Sequence, residues 1–147
     1  LYGLGDTYHL ENSHVIPALL MKIHEAKVSE KSSVEIWGTG KPRREFLYVD
    51  DLADALVYLF QHYSDLKHVN IGAGYDVSIK ELAEIICNVV GYNGVLDFNT
   101  SRPDGVMQKL MDSSKITQMG WAPKTSFEEG LGLSYSDYLE RVYKRAA

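Results

Sequence analysis

The stretch from residue 37 to residue 51 constrains the fold more than any other part of the chain. Apolar and polar residues alternate along 33–37, which is typical of a half-buried strand. Two glycines and a proline within 38–42 then predict a reversal of the chain. The β-prone residues 45–49 predict a second strand, and Asp50 is placed to cap the helix that follows. The stretch therefore predicts strand, turn, strand and helix in that order.

Three cations, Lys41, Arg43 and Arg44, lie on this turn close in sequence to the indole of Trp37. A flat aromatic side chain beside fixed guanidinium groups suits a ligand that has a ring at one end and phosphates at the other. The alternative is a basic surface hairpin with a partly buried Trp. The spacing of the residues does not decide between these two interpretations.

The composition is that of one ordinary soluble domain, with 147 residues, 45% apolar and 24% charged. The net charge of −5 argues against general binding to nucleic acid or membranes, although it allows a local basic pocket. The single cysteine, Cys87, excludes an internal disulfide and a cysteine metal cluster, and the histidines show no metal-ligand spacing, so no metal is predicted. Because no apolar run is long enough for a membrane span, we expect a cytoplasmic protein.

Strands and helices intermix along the whole chain, which predicts an α/β fold. The helices are recognised by apolar residues at helical spacing and by capping residues at their ends. The predicted helices begin at Ser13, at Asp51, at the capping box Ser78–Glu81 (ending at Gly91), near Ser113 and near Ser126, and the further predicted strands are 69–71 and 95–98.

The sequence Arg-Glu-Phe-Leu-Tyr-Val-Asp-Asp at 44–51 resembles a motif of the extended short-chain dehydrogenase/reductases that modify nucleotide sugars. Further matches are Trp-Gly-Thr-Gly at 37–40, Leu-Tyr-Gly at 1–3, Asn-Ser-His-Val-Ile-Pro at 12–17 and Pro-Asp-Gly at 103–105. Together they narrow the resemblance to the GDP-L-fucose synthase family. Members of this family are NADPH-dependent 3,5-epimerases and 4-reductases that convert GDP-4-keto-6-deoxy-D-mannose to GDP-L-fucose. The resemblance extends over essentially the whole chain.

The resemblance implies that residues 1–147 are the C-terminal half of a longer polypeptide. This half would hold the substrate domain and the last elements of an NAD(P)-binding Rossmann sheet. In the family, the tripeptide that matches Leu1-Tyr2-Gly3 ends a strand of that sheet. The family's catalytic Ser, its Tyr-x-x-x-Lys pair and its epimerisation Cys would all lie upstream of Leu1. We therefore expect the chain alone to be inactive, and the complete enzyme to bind NADP(H) and to form a homodimer.

His14 is the candidate catalytic residue. At the mouth of a helix it could contact a phosphate or deliver a proton, but a histidine there is also a common structural feature. The resemblance implies that it is the acid of epimerisation and that it contacts the cofactor together with Leu1. It also implies five substrate-binding residues, which are Lys22, Trp37, Arg44, Asp104 and Lys109. Relatives commonly carry Arg at the position of Lys22.

Several expected nucleotide-binding motifs are missing. No glycine cluster completes a dinucleotide fingerprint, and no P-loop occurs. Residues 63–67 have Tyr-x-x-x-Lys spacing, but they span a predicted helix end and loop, so we interpret the spacing as coincidence. Two alternatives stay open: another NAD(P)-dependent nucleotide-sugar epimerase or dehydratase, and a noncatalytic module that binds nucleotide sugars.

Overall fold

The computed structural model describes residues 1–9 and 12–144. Its elements alternate between helices and short strands, as an α/β fold requires. They are α1 Val15–Val28, β1 Ser33–Trp37, β2 Arg43–Arg44, α2 Val49–His62, β3 Val77–Ser78, α3 Ile79–Val90, β4 Val95–Asn99, β5 Gln108–Lys109, α4 Ser114–Gln118, α5 Phe127–Tyr138 and a π-helical turn Leu139–Tyr143. The predicted fold class is confirmed.

The strands form two small sheets. β1 pairs in parallel with β4, with Ser33 opposite Val95 and Trp37 opposite Asn99. β2 lies at the centre of the second sheet, antiparallel to β3 and parallel to β5. Because β1 and β2 belong to different sheets, the turn between them joins two sheets. The alternative of a surface hairpin with a partly buried Trp is therefore wrong.

The predicted second strand over 45–49 is also wrong. β2 ends at Arg44, and the following residues lead directly into α2, which begins at Val49. Within 45–49 the structure shows a parallel bridge between Tyr48 and Tyr2. The Tyr2 N–H donates to Leu47 O at 3.2 Å, and the Val49 N–H donates to Tyr2 O at 2.9 Å. These bonds hold the start of the chain against the start of α2.

The main core lies between α1, α3, α5 and β1. Its most deeply buried side chains include Leu20, Ile23, Leu82, Ile86 and Leu131, all fully removed from solvent. Each such burial stabilises the fold by about 1.5–3 kcal/mol. Cys87 belongs to this cluster, and burial raises the pKa of its thiol, as expected for a cysteine that serves packing.

A second, smaller cluster forms around Leu47, Ala55, Ile116 and Trp121. It leaves part of the apolar surface of α2 uncovered in this chain. Leu56, Val57 and Phe60 are 55%, 58% and 91% exposed. An apolar helix face of this kind is typical of a surface that another part of a protein covers.

Several predicted helix ends are confirmed. Ser78 forms a complete capping box with Glu81, and Gly91 ends α3 in the left-handed region at φ 73°. Ser113 and Ser126 are the N-caps of α4 and α5.

Three local predictions are wrong. Tyr48 rather than Asp50 is the N-cap of α2, since the helix begins two residues earlier than predicted. His14 rather than Ser13 is the N-cap of α1, because the Ser13 hydroxyl donates instead to His9 O. Residues 69–71 form no strand, and Val69 and Ile71 instead pack against the second cluster.

Candidate functional site

Two clefts meet at the start of α1. The first has a volume of about 630 Å³, and the second a volume of about 410 Å³. The first is lined by Ser13, Val15, Ala18, Leu19, Met21, Lys22, Glu35, Ile36, Trp37 and Ile79. The second is lined by Leu1, Tyr2, Gly3, Leu4, Gly5, Asp6, His14 and Val49. His14 thus lines one cleft while its chain neighbours Ser13 and Val15 line the other.

His14 is exposed and occupies the N-cap position of α1 without using its imidazole to cap the helix. Its carbonyl accepts the first helical hydrogen bond, from Ala18 N–H at 3.0 Å. The backbone N–H groups of the first helical turn have no partner within a helix and favour an anion nearby. The structure therefore places the predicted catalytic histidine at a helix start, on the wall of a cleft.

Leu1, the other predicted cofactor contact, lines the same cleft as His14. Gly3 forms part of its floor, at φ 146°, and a Cβ atom there would lie 2.6 Å from Val49 Cγ1. The described lining includes Asp6 and His14 and contains no Lys or Arg. These residues fit one wall of a site for the uncharged dihydronicotinamide ring of NADPH. The diphosphate of the cofactor would need cationic or glycine-rich contacts that they do not supply.

Lys22 and Trp37 lie together on the first cleft. Trp37 is 61% exposed, and Lys22 Nζ lies 5.7 Å from the centre of its indole ring. The Lys22 ammonium also donates to Glu35 O, which holds it beside the middle of β1. The Arg102 guanidinium also lies over the indole, with Cζ 4.8 Å from the ring centre. The turn carries Arg43 and Arg44 into the other sheet.

Arg43 and Arg44 point to opposite faces of their strand, as successive residues do. Arg43 is used internally: its Nε donates to Asp76 Oδ1 at 2.6 Å, and its Nη1 lies 3.3 Å from Glu81 Oε2. Hydrogen bonds from Gln108 and Arg43 hold the pKa of Asp76 below its ordinary value. Arg44 forms no ion pair within residues 1–9 and 12–144, and its Nη1 donates to Arg43 O at 2.7 Å. Of the two arginines, only Arg43 is paired with carboxylates among the described residues.

Lys109 and the loop that contains Asp104 lie beside Arg44. Lys109 is the register partner of Arg44 across the parallel β2–β5 pair, and both side chains therefore share a face. A Cβ atom on Gly105 would lie 3.0 Å from Arg44 Nη2, so this loop passes close to the guanidinium group.

Asp104 binds the glycine turn. Its Oδ1 accepts from Thr39 N–H at 2.8 Å, and its Oδ2 accepts from the Thr39 hydroxyl at 2.6 Å. These two bonds hold the pKa of Asp104 below its ordinary value. The structure thus shows Asp104 positioning the turn between Trp37 and Arg44, and its contact with a substrate stays a prediction.

Sequence reasoning missed Glu35, Asn99 and Arg102, which surround Trp37 in the structure. The alternation of β1 could have indicated Glu35, because residues two apart in a strand share a face. Asn99 and Arg102 reach Trp37 only through the parallel pairing of β1 with β4, which a single sequence does not reveal. The Tyr63–Lys67 spacing has a local explanation, since the Tyr63 hydroxyl donates to Lys67 O at 2.6 Å.

Two further searches of the part of the chain that the structure describes found nothing. No group of three or more His, Cys, Asp or Glu side chains there is arranged to hold a metal ion. No helix there is long and apolar enough to cross a membrane.

Known proteins are similar to this chain over nearly its whole length. Residues 1–72 match the model of the NAD dependent epimerase/dehydratase family. Over 97% of its length the chain is 57% identical to the probable GDP-L-fucose synthase 1 of Oryza sativa subsp. japonica and 51% identical to the GDP-L-fucose synthase of Sinorhizobium fredii. It covers 43% and 45% of these two proteins.

A solved structure of the GDP-L-fucose synthetase from Naegleria fowleri, bound to NADP, has a TM-score of 0.89 and 27% identity over 97% of the chain and 45% of that structure. The chain therefore spans less than half the length of each of these three relatives, while nearly all of it is matched. The resemblance predicted from the motifs at 1–3, 12–17, 37–40, 44–51 and 103–105 is confirmed.

Proposed function

Because this chain is similar over nearly its whole length to GDP-L-fucose synthases, we propose that it is the substrate-binding part of an NADPH-dependent epimerase and reductase acting on a GDP-linked 4-keto sugar. The substrate would be GDP-4-keto-6-deoxy-D-mannose and the product GDP-L-fucose. The rest of a protein of the relatives' length would supply the dinucleotide-binding residues and the Tyr–Lys pair. We place the complete enzyme in the cytoplasm, as a homodimer.

The observation that carries this proposal is the position of α1 between the two clefts. Its start brings His14 to the cleft that Leu1 lines and brings Ser13 and Val15 to the cleft that Trp37 lines. Lys22, about two turns further along α1, lines this same cleft. Two ligands bound in these clefts would thus be adjacent across a single helix start. An enzyme that transfers hydride between a cofactor and a sugar needs this adjacency, because the reacting atoms must approach to about 3–3.5 Å.

The first cleft and the sheet that contains β2 together offer the groups that a nucleotide sugar needs. Trp37 offers an exposed flat ring, and Lys22 offers an ammonium group beside it. Arg44 and Lys109 offer two further positive charges on one face of the neighbouring sheet. A guanidinium group can bind two phosphate oxygens at once, so Arg44 is the group that suits the diphosphate best.

His14 would act on the sugar from the side of the second cleft. Its imidazole is exposed and is not used to cap α1, so it can hold or donate a proton at a substrate carbon during epimerisation. NADPH bound by the complete enzyme would supply the hydride for reduction. The residues of this chain would orient the sugar, bind its diphosphate and donate this one proton.

The exposed apolar face of α2 supports the proposal that a further part of the protein covers this chain. Leu56, Val57 and Phe60 form a continuous patch on consecutive turns. The relatives are more than twice as long as the matched region, so the length of chain needed to cover the patch is available in a protein of their size. We propose that the dinucleotide-binding part covers it.

Titration of GDP into the purified chain by calorimetry tests the proposal. Arg44→Ala should weaken GDP binding by tens of fold, because it removes a charge-assisted contact of about 2 kcal/mol. Arg44→Lys should restore only part of the affinity, since a lysine keeps the charge but loses the planar pair of N–H donors that binds two phosphate oxygens at once. Lys67→Ala, which removes an exposed charge from the loop after α2, is the matched control and should bind GDP normally. Unchanged GDP affinity in a folded Arg44→Ala protein would contradict the phosphate-binding role.

A further inference from the structure

The indole of Trp37 is exposed and yet held in place. Its Nε1–H donates to Glu35 Oε2 at 3.2 Å, and both residues lie on the same face of β1. Although 61% of the side chain is exposed, Arg102 Cζ lies 4.8 Å from the ring centre. An exposed tryptophan that carries a cation against its ring and a fixed N–H is prepared to stack on a planar group.

The Glu35 carboxylate accepts one hydrogen bond on each oxygen. Oε2 takes the indole N–H, and Oε1 takes the side-chain amide of Asn99 at 2.5 Å. Asn99 is the register partner of Trp37 on β4, and this pairing brings its amide to the Glu35 side chain.

The orientation of Asn99 is itself fixed by Ser101. The Ser101 N–H donates to Asn99 Oδ1 at 3.0 Å, and the Ser101 hydroxyl donates to the same oxygen at 2.6 Å. The amide oxygen is thus occupied, which leaves the amide nitrogen to face Glu35. The chain of contacts from Ser101 to Trp37 has a donor and an acceptor at each step.

We propose that Glu35, oriented by Asn99, is a positioning residue that fixes the indole of Trp37 as a stacking platform for the purine base of the nucleotide ligand, with the Arg102 guanidinium over one face of the ring. The identity of the ligand rests on the proposed function, whereas the positioning of the indole does not. Two features support the role of a carboxylate here. The network requires an acceptor on each oxygen, which a carboxylate provides. Hydrogen bonds from Asn99 and, to a smaller extent, Trp37 hold the pKa of Glu35 below its ordinary value, so the carboxyl group is ionised at neutral pH.

Glu35→Gln is the sharpest change, because it keeps the size of the side chain and replaces one acceptor by a donor. An amide must then turn a donor towards either the indole N–H or the Asn99 amide, so one of the two contacts is lost. The same change also removes a negative charge near Lys22 and Arg102, which would strengthen the binding of any anion. A test of positioning therefore needs an uncharged ring and a ringless anion as separate probes.

The experiment uses the full chain labelled with ¹⁵N, in which the two tryptophans give two indole N–H signals, assigned with Trp37→Phe. Inosine serves as the uncharged purine probe and inorganic pyrophosphate as the anion. Glu35→Gln should move the Trp37 signal, leave the Trp121 signal in place, and weaken inosine binding by about 3- to 10-fold, the effect of one ordinary hydrogen bond. Pyrophosphate binding should be unchanged or tighter.

Two further variants complete the design. Asn99→Ala leaves the Glu35–Trp37 contact but frees one carboxylate oxygen, so it should move the same indole signal and weaken inosine less. Glu128→Gln removes an exposed carboxylate from α5, outside the residues that line the first cleft, and should leave both signals and both affinities unchanged. Backbone amide signals at their wild-type positions show that each variant is folded.

An unmoved Trp37 signal in folded Glu35→Gln would overturn the positioning role. A moved signal with unchanged inosine affinity would overturn the link between positioning and ring binding. Failure of the wild-type chain to bind inosine would overturn the stacking platform. The proposed function is tested separately, by whether the chain binds pyrophosphate and GDP.

Discussion

Substitution of Gly40 by alanine tests how the glycine turn joins the two sheets. Gly40 has φ 74°, a left-handed conformation that an alanine adopts at a cost of about 1–2 kcal/mol. A Cβ atom there would also lie 2.5 Å from Cε1 and 3.0 Å from Cδ1 of the Phe98 ring, and 3.1 Å from Lys80 Cβ. The added methyl group thus meets a half-buried aromatic ring that packs against the main core.

Overpacking of this kind typically costs a further 1–3 kcal/mol or so. We therefore expect Gly40→Ala to lower the free energy of unfolding by about 2–5 kcal/mol in total. Gly5→Ala is the matched control, since Gly5 has φ 83° and no atom within 4 Å of the added Cβ. It should lose only the conformational part, about 1–2 kcal/mol.

Urea denaturation of both variants, followed by circular dichroism at neutral pH, measures the difference. Phe98→Ala should relieve the contact, so that Gly40→Ala costs about 1–3 kcal/mol less in that background than in the wild type. Equal losses for Gly40→Ala and Gly5→Ala would refute the close approach of Phe98 to the turn, as would an unchanged cost of Gly40→Ala in the Phe98→Ala protein.

The other predictions concern pH, catalysis and assembly. His24 is buried, and its burial, with a smaller effect of the Lys27 charge, lowers the pKa of its imidazole below 6.5. The unfolded chain therefore binds a proton more readily than the folded chain, so the free energy of unfolding should fall as the pH drops below about 6.5. Denaturation between pH 5 and 7 should show a smaller pH dependence in His24→Phe, whereas His68→Gln, which changes an exposed histidine, should keep the wild-type dependence. In the complete enzyme, His14→Asn should slow epimerisation by about 10²–10⁴-fold and slow reduction less. Deuterium exchange at C3 and C5 of the sugar measures epimerisation, and NADPH oxidation measures reduction. Equal slowing of both reactions would indicate a structural role for His14. Phe60→Ser should leave the free energy of unfolding of this chain within about 0.5 kcal/mol of wild type but lower that of the complete enzyme, as measured by urea denaturation of both proteins. A large loss in the isolated chain would show that the apolar face of α2 is already covered there.

The strongest sequence patterns predicted the fold best. The apolar spacing of 16–23 and the Ser78–Glu81 capping box located α1 and α3, because both signals depend on neighbours within one or two helical turns. The strand over 45–49 was wrong because strand formation needs a partner that lies far away in sequence. Tyr48 finds only one bridge, to Tyr2, and the chain turns into α2 at once.

The candidate site divides in the same way. Sequence and resemblance together selected His14, Lys22 and Trp37, and the structure places them on two adjoining clefts. They did not reveal that Arg43 is used internally by Asp76 whereas Arg44 has no ion pair in the described part of the chain. That distinction depends on which face of β2 each side chain occupies and on what lies opposite, which is information about pairing between strands.

Mapping the site of GDP binding on the ¹⁵N-labelled chain tests the central claim most directly. We predict saturable shifts of the Trp37 indole signal and of the backbone signals of Lys22 and Arg44. The signals of Leu4 and Gly5 in the second cleft should stay unchanged, because that cleft is assigned to the cofactor. Saturable shifts confined to the second cleft, or no saturable shift at all, would contradict the claim that this chain forms the substrate-binding part of a nucleotide-sugar enzyme.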